Sequence, residues 1–271
     1  MRPEGAPDVV RSADGTPIGI LTAGAGPDLL LVHGGLSGMS RWAPLWAELT
    51  PRFRVTALDR RGRGRSGDAA GYAVDREYED VAAVVEHLAA RGGGPVDALG
   101  HSFGGVCLLG AAGRGASLRR LALYEPPGPA TVAGGWPEKV RDLIAAGQPG
   151  PAIGSFLTEI IGLTREQVEA LRQAPQGADD VLAIASRTPP REAEALAALD
   201  LPALAGAVGQ PVLLLRGTAS APGAAEVVGV LERHLADTRT VALPGQGHEG
   251  VDTAAAAVAG HLASFLLDAA P

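Results

Sequence analysis

The sequence predicts an α/β fold in which a mostly parallel sheet of about eight strands is flanked by helices. Short runs rich in Val and Leu, bounded by Gly, Pro or Asp, alternate with helix-like stretches along the 271-residue chain. This alternation is typical of parallel strands that are connected by covering helices. Chains of this length commonly form one domain of that class. We therefore expect one sheet with helices on both of its faces.

The predicted strands and helices follow from these patterns. Runs that are almost continuously apolar indicate buried parallel strands, at Leu29–Val32, Arg54–Leu58, Val96–Leu99, Leu121–Tyr124, Val212–Leu215 and Thr240–Leu243. An antiparallel hairpin is expected ahead of them, with Val9–Ser12 and Ile18–Thr22 joined by the turn residues Asp14-Gly15. Helices are predicted over Asp75–Arg91, Cys107–Gly113, Ala224–Ala236 and Thr253–Leu267.

Between about Pro126 and Gln210 the strand rhythm stops, and helical segments punctuated by Pro and Gly replace it. Pro189-Pro190 followed by acidic residues is typical of a helix start. We interpret 126–210 as a helical cap inserted between two core strands. Residues 1–125 and 211–271 would then form the core, and the cap would not be an independent domain.

Composition argues against several classes of protein. The formal net charge of −7 disfavours a nucleic-acid-binding surface, and the basic cluster Arg60, Arg61, Arg63 and Arg65 is too short to change that. Cys107 is the single cysteine, which excludes an intrachain disulfide and a cysteine-based zinc site. No signal-like or membrane-spanning apolar run is visible. We expect a cytoplasmic protein with no membrane partner and neither a metal nor an organic cofactor.

The most specific motif is Gly100-His101-Ser102-Phe103-Gly104, which matches the pattern G-x-S-x-G. It follows a predicted strand and precedes a helix, as a strained turn that exposes a nucleophilic serine requires. Small residues on either side of Ser102 allow the close backbone approach of such a turn. A chance match in a Gly-rich chain is the alternative, and the strand and helix around the motif disfavour it.

A glycine-rich loop, His33-Gly34-Gly35, follows the first predicted parallel strand. A loop of this kind can turn a backbone N–H into the site, where it pairs with the N–H that follows the nucleophile. We therefore predict that Gly35 and Phe103 donate to an oxyanion. The side chain of His33 is expected to be a structural, hydrogen-bonded group.

His248 is the candidate general base. It lies in Leu243-Pro244-Gly245-Gln246-Gly247-His248, after the last predicted strand and before the final helix. The chain order of serine before histidine suits a nucleophile elbow. The alternative is an exposed loop histidine. The remaining histidines are interpreted as surface or packing residues: His87, His101, His234 and His261.

Four segments together resemble the α/β-hydrolase superfamily: HGG at 33–35, DRRGRGRS at 59–66, GHSFGG at 100–105 and GQGH at 245–248. The resemblance spans essentially the whole chain. LYEPP at 123–127 and the GQGH segment are further similar to a group of bacterial hydrolases. The resemblance implies an esterase-like serine hydrolase in which Asp59, Arg61 and Ser66 brace a loop.

The triad acid departs from the family pattern. Members of the superfamily commonly carry an aspartate in a G-x-x-D pattern after the strand that corresponds to Val212–Leu215, whereas this chain reads Gly217-Thr218-Ala219-Ser220. We predict that Glu125 replaces it, since Glu125 follows the strand Leu121–Tyr124 and precedes two prolines that stiffen the loop. The alternative is that Glu125 braces the cap. Three other acids are weaker candidates: Asp252, Glu249 and Glu226.

These residues predict cleavage of an ester, thioester or lactone of a small molecule through an acyl-enzyme on Ser102. Trp136 and Phe156 are candidates for lining the substrate pocket, although packing explains each one singly. Carbon–carbon bond hydrolysis or lyase chemistry on the same scaffold is an alternative, because a fold does not dictate its reaction. A receptor that keeps the pocket without catalysis is a third interpretation.

Overall fold

In the computed structural model, the described residues are 5–132, 134–166, 168–169 and 188–267, and they contain an eight-stranded sheet. The strands are β1 (Ala6–Arg11), β2 (Pro17–Ala23), β3 (Asp28–Val32), β4 (Arg54–Leu58), β5 (Val96–His101), β6 (Leu118–Tyr124), β7 (Val212–Gly217) and β8 (Thr238–Leu243). Their order across the sheet is β1-β2-β4-β3-β5-β6-β7-β8. β1 and β2 run antiparallel to their neighbours, and β4 through β8 are parallel with β3.

Helices cover both faces of this sheet. Those described are α1 (Ala43–Leu49), α2 (Val74–Gly92), α3 (Phe103–Gly113), α4 (Trp136–Ala145), α5 (Pro149–Ser155), α6 (Pro189–Ala197), α7 (Leu201–Gly206), α8 (Pro222–His234), α9 (Gly250–Thr253) and α10 (Ala255–Leu267). The predicted α/β fold class, with its mostly parallel sheet, is confirmed. No helix within the described residues has the length and apolar character needed to cross a membrane.

Three of the predicted elements differ in detail from the structure. β8 is a mostly exposed edge strand rather than a buried one, because β7 is the single strand among the described residues that pairs with it. The helix predicted from Cys107 begins at Phe103, since the turn at the preceding serine leads straight into it. The final predicted helix, Thr253–Leu267, begins two residues later, as α10 at Ala255, and the short helix α9 precedes it. The short helix α1 was not predicted from the sequence.

The core lies in two layers, one on each face of the sheet. Alternate residues of β3 divide between them: Leu30 and Val32 join the layer under α2 and α3, and Leu29 and Leu31 join the layer under α1 and α10. Successive side chains of a strand point to opposite faces, so a strand that is apolar throughout can serve both layers. The sheet is therefore buried on both sides where the central strands run.

Three of the four arginines in the basic cluster after β4 are buried and ion-paired, and Arg65 is exposed. Arg60, Arg61 and Arg63 are each at most 2% exposed. The guanidinium of Arg61 donates two hydrogen bonds of 2.7 Å to the carboxylate of Asp80. Buried charges are stable only when they are paired in this way. These three arginines therefore pack the loop against the core instead of forming a cationic surface.

Asp59 and Ser66 hold the two ends of the same loop. The carboxylate of Asp59 accepts hydrogen bonds from the backbone N–H groups of Met39 and Arg65, at 2.8 and 2.9 Å. Ser66 Oγ donates to the backbone oxygen of Asp59 and accepts from Gly19 N. These contacts agree with the bracing role that the resemblance implies.

Between β6 and β7 the described chain contains helices and no strand. Trp136, Val140, Ala152 and Ala193 form a small separate hydrophobic cluster there. Part of the predicted cap lies outside the described residues, at 133, 167 and 170–187. The division of the chain into core and cap stays a prediction.

Gly110 in the middle of α3 provides a test of how closely α3 packs on α2. A Cβ at this position would lie 2.3 Å from the Cγ of Tyr78, a residue that is 3% exposed. We expect Gly110→Ala to destabilise the fold by about 1–3 kcal/mol through overpacking, measured as the free energy of unfolding in urea. The control is Gly206→Ala in α7, where a Cβ meets nothing within 4 Å. Helix propensity should make that control neutral or stabilising by up to about 1 kcal/mol. Equal effects of the two changes would contradict the packing argument.

Candidate active site

Ser102 occupies a strained turn between β5 and α3. Its backbone has φ 53° and ψ −129°, and its N–H donates to the Tyr124 carbonyl at 2.9 Å. The surrounding glycines are required, since a Cβ on Gly104 would lie 2.1 Å from the backbone oxygen of Val32. A strained strand-to-helix turn with close backbone contacts is the geometry of a nucleophile elbow.

Glu125 and His248 are hydrogen-bonded to each other. The Glu125 Oε2 atom lies 2.9 Å from His248 Nδ1, and Glu125 is only 3% exposed. Its other carboxylate oxygen, Oε1, accepts from Gly217 N at 2.7 Å and from Ser220 Oγ. Ser220 stands where the family commonly has its aspartate, and here it binds the carboxylate that reaches the histidine. The predicted proximity of Glu125 to His248 is therefore present, and its catalytic role stays a prediction.

The hydrogen bonds keep Glu125 ionised. Burial by itself raises the pKa of a carboxyl group, but the hydrogen bond and charge of His248, with the donors Ser220 and Gly217, outweigh it. The pKa of Glu125 is consequently held below its ordinary value. An ionised partner at Nδ1 fixes the proton of the neutral imidazole on that nitrogen, which leaves Nε2 as the basic atom.

The loop that carries His248 is held by side chains from the central strands. Tyr124 Oη donates to the Gly247 carbonyl at 2.7 Å, and His101 Nε2 lies 3.0 Å from the His248 carbonyl. A carbonyl only accepts, so Nε2 of His101 carries a proton. Burial, above all, holds the pKa of His101 far below its ordinary value, which keeps this ring neutral.

The sequence did not predict that His101 holds the loop of His248 in place. Its ring lies 4.6 Å from the ring of His248, although we interpreted it only as a surface or packing residue. The available signal was its place immediately before Ser102, at the end of a buried strand. His33, by contrast, is buried and hydrogen-bonded as predicted, with Nε2 accepting from Arg60 N at 3.0 Å.

The other candidate acids have different partners. Glu249 and Asp252 both pair with Arg41, and the Asp252 contact measures 2.9 Å. Burial, followed by the neighbouring Glu249, raises the pKa of Asp252 to about 6. Glu226 is exposed on α8. Among the described residues, the carboxylate at the imidazole nitrogen of His248 is that of Glu125.

A cavity of about 290 Å³ lies between the elbow and the helices that follow β6. Its wall includes every residue predicted for the site: Ser102, His248, Glu125, Gly35, Phe103, Trp136 and Phe156. No direct hydrogen bond joins Ser102 and His248 in the described part of the chain. Catalytic hydrogen bonds are often longer before substrate binds, so this geometry is compatible with proton transfer.

The two predicted oxyanion donors border the same cavity. Phe103 is the first residue of α3, where a backbone N–H has no intrahelical acceptor. Gly35 precedes Leu36, whose φ of 49° marks a sharp turn after β3. Both residues thus line the same cavity as Ser102, and their role as oxyanion donors stays a prediction.

Trp136 and Phe156 form an aromatic wall. Their ring centroids are 5.9 Å apart, and Trp136 Nε1 donates to Ser155 Oγ at 2.9 Å. Both residues combine packing with cavity lining. Among the residues that the structure describes, no group of three or more His, Cys, Asp or Glu side chains is arranged to hold a metal ion.

The chain belongs to the alpha/beta hydrolase family, which it matches over residues 29–261. This membership and its hydrolase relatives define a hydrolytic enzyme. It is similar to a pimeloyl-[acyl-carrier protein] methyl ester esterase from Nitrosomonas europaea, with 29% identity over 260 residues that cover 85% of this chain and 92% of the relative.

Solved structures show the same fold. An alpha/beta hydrolase from Sphaerobacter thermophilus is 32% identical with a TM-score of 0.78, covering 92% of this chain and 99% of that chain. An enol-lactonase from Burkholderia xenovorans is 23% identical with a TM-score of 0.75, covering 96% of this chain and all of that chain, 100%.

The lowered pKa of Glu125 predicts a pH-dependent stability. A carboxyl group whose folded pKa is depressed stabilises the fold above its unfolded pKa, near 4.5, and this contribution is lost as pH falls through the folded value. We expect the difference in unfolding free energy between wild type and Glu125→Gln to shrink as pH falls below 4.5. Urea unfolding between pH 3 and 7 would measure it, at roughly half-unit steps. Glu48→Gln, at an exposed position of α1, is the matched control. A difference that stays constant across this range would contradict the prediction.

Proposed function

We propose that this enzyme is a serine hydrolase that cleaves a carboxylic ester, or a related thioester or lactone, of a small molecule. The observation that carries the proposal is the Glu125–His248 hydrogen bond of 2.9 Å beside a cavity that Ser102 and His248 both border. A nucleophile, a base and an orienting acid near one another are the requirements for acyl transfer through a covalent intermediate.

In the acylation step, Ser102 Oγ attacks the carbonyl carbon of the substrate while His248 Nε2 takes the hydroxyl proton. The new C–O bond turns the carbonyl oxygen into an oxyanion, which the N–H groups of Gly35 and Phe103 stabilise. Collapse of this intermediate breaks the bond to the leaving group. His248 returns its proton to the leaving oxygen or sulfur, and Ser102 keeps the acyl group.

In the deacylation step, His248 removes a proton from water, and the resulting oxygen nucleophile attacks the acyl-enzyme. A second oxyanion forms in the same position and collapses with release of the acid. His248 then returns the proton to Ser102 Oγ. Throughout both steps Glu125 stays ionised, holds the tautomer of His248 and stabilises the imidazolium.

The size and the lining of the cavity both support the proposal that the substrate carries a small acyl group. The volume of about 290 Å³ lies near the lower limit for small-molecule sites. Apolar groups dominate its wall beyond the reacting residues, which suits an acyl chain. The similarity to a methyl ester esterase supports an ester bond as the target.

The helices between β6 and β7 are proposed to act as the cap that selects the acyl group. Trp136 and Phe156 come from this segment, and both line the cavity. We include both in the substrate pocket, because a rigid aromatic wall limits the length and width of an acyl chain.

A fluorophosphonate probe is expected to label Ser102. Activated serine nucleophiles react with such electrophiles, whereas ordinary serines do not, so tryptic mass mapping should find the adduct on the peptide that contains Ser102. The same protein should hydrolyse a short p-nitrophenyl ester. Ser102→Ala is the control and should lose both labelling and hydrolysis while it stays folded by circular dichroism. Labelling of a different serine, or equal hydrolysis by Ser102→Ala, would refute the assigned nucleophile.

Replacing Glu125 should reduce turnover far more than replacing a nearby group. Loss of the triad acid has cost about 10⁴-fold in a serine protease, and we expect Glu125→Gln to lower kcat by about 10³- to 10⁴-fold. Ser220→Ala removes only a hydrogen bond to the acid, so a loss of about tenfold or less is expected.

Glu226→Gln provides the matched control for this comparison, because it makes the same change at an exposed position on α8. Its kcat should stay within about twofold of wild type, as expected for a surface substitution. The measurement is kcat for one ester with all variants at one pH, with circular dichroism confirming the fold. A folded Glu125→Gln enzyme that keeps more than about a tenth of wild-type kcat would show that the acid is misassigned.

A further inference from the structure

Glu192 is a buried carboxylate in the wall of the cavity that the mechanism does not use. It lies on α6 and is 5% exposed. It borders the cavity together with Ser102, His248 and Gly35. A buried carboxylate at such a position in a mostly apolar wall requires a structural or a functional explanation.

The two oxygens of Glu192 have different surroundings. Oε1 accepts from Arg60 Nη2 at 2.6 Å and from Arg63 Nη2. Oε2 accepts no hydrogen bond from the described residues, and it lies 3.2 Å from the point where a Cβ on Gly35 would stand. One oxygen therefore anchors the side chain, and the other is available beside the proposed oxyanion donor.

The charge of Glu192 is balanced within the protein. Arg60 also donates two hydrogen bonds of 2.7 Å to Glu77, so Arg60, Arg63, Glu77 and Glu192 contribute two charges of each sign. Because the group is neutral in sum, Glu192 does not place an uncompensated negative charge beside the oxyanion. Its available oxygen acts at short range, as a hydrogen-bond acceptor.

The geometry points to Glu192 as a specificity-determining residue that accepts a hydrogen bond from an O–H or N–H group on the acyl part of the substrate, next to the scissile carbonyl. This inference rests on the proposed function. Because Glu192 Oε2 lies beside Gly35, a donor on the carbon next to a carbonyl group held by the N–H of Gly35 would be within reach of Oε2. The favoured substrates are esters of hydroxy or amido acids.

The same arrangement disfavours other acyl groups. An acyl group without a donor would cover Oε2 and leave a carboxylate oxygen without a partner, which is costly in an apolar site. A second carboxylate on the substrate would offer no hydrogen-bond donor to Glu192 Oε2. No Lys or Arg is found among the described residues that line the cavity, so such a group would have no cation to bind there.

The test compares two phenyl esters that differ in one hydrogen-bond donor, phenyl lactate and phenyl 2-methoxypropionate. The measured quantity is kcat/KM for phenyl lactate divided by kcat/KM for phenyl 2-methoxypropionate. In wild type this ratio should be at least about tenfold larger than the ratio of the two rates of hydroxide-catalysed hydrolysis. A tenfold difference is the size expected for a hydrogen bond to a charged group. A wild-type ratio no larger than the hydroxide ratio would overturn the inference.

Glu192→Gln should lower this ratio at least about tenfold. Arg60 and Arg63 both need an acceptor, so the amide oxygen should replace Oε1 and the NH₂ group should face the cavity. The variant thus presents an NH₂ donor where wild type presents the acceptor Oε2, and the two groups are of nearly the same size. Steric effects of the extra methyl group therefore cancel when the ratio in the variant is compared with the ratio in wild type. Glu194→Gln, at an exposed position on the same helix, is the control and should leave the ratio within twofold. An unchanged ratio in a folded Glu192→Gln enzyme would overturn the inference.

Two further measurements separate the possible failures. If Glu192→Gln does not fold, the double variant Arg63→Met with Glu192→Gln removes one buried charge of each sign, and the same fall in the ratio is expected. If wild type shows no Ser102-dependent hydrolysis of phenyl acetate or of either test ester, the proposed function fails, and the inference fails with it. Hydrolysis of phenyl acetate with no preference for the lactate ester leaves the proposed function intact and refutes the role of Glu192 alone.

Discussion

The carboxylate of Glu125 is the constraint on which the arrangement of the site depends. It follows β6, accepts from Gly217 N and Ser220 Oγ at the end of β7, and binds His248 in the loop after β8. Three neighbouring strand ends are thus joined at one buried anion. Without these donors, burying the charge of Glu125 would cost several kcal/mol. The ionised state of Glu125 therefore depends on the positions of the loops after β7 and β8, and those positions depend in turn on the hydrogen bonds to the carboxylate. The orientation of His248 toward the cavity follows from that bond.

A second set of buried charges ties α6 to the loop after β4. Glu192 on α6 reaches Arg60 and Arg63 in the loop after β4, and Phe103 packs with its ring 4.4 Å from the guanidinium of Arg60. Removing one member of a buried ion pair commonly costs about 3–5 kcal/mol, because the remaining charge is left unpaired. The group therefore connects the position of α6, the start of α3 and one wall of the cavity.

Local sequence patterns predicted the fold well where each strand is short, apolar and bounded by turn residues. The central strands agree closely, because both of their faces are buried and the sequence must be apolar throughout. β8 shows the limit of this reasoning. Its composition resembles that of a buried strand, but its exposure depends on having a single neighbour, which no local pattern encodes. The buried arginines after β4 show the same limit, since charged residues are normally exposed and their acidic partners are distant in sequence.

By itself, the sequence determined the alternation of strands and helices, the elbow at Ser102, the candidate base His248 and the candidate acid Glu125. Each of these depends on residue type and immediate neighbours, such as the glycines that a strained turn requires. Only the tertiary structure decided that Ser220 binds Glu125, that His101 lies against His248, and that Glu192 reaches the cavity. These contacts join residues far apart in the chain. Their geometry is set by the packing of helices and strand ends, which local residue patterns do not specify.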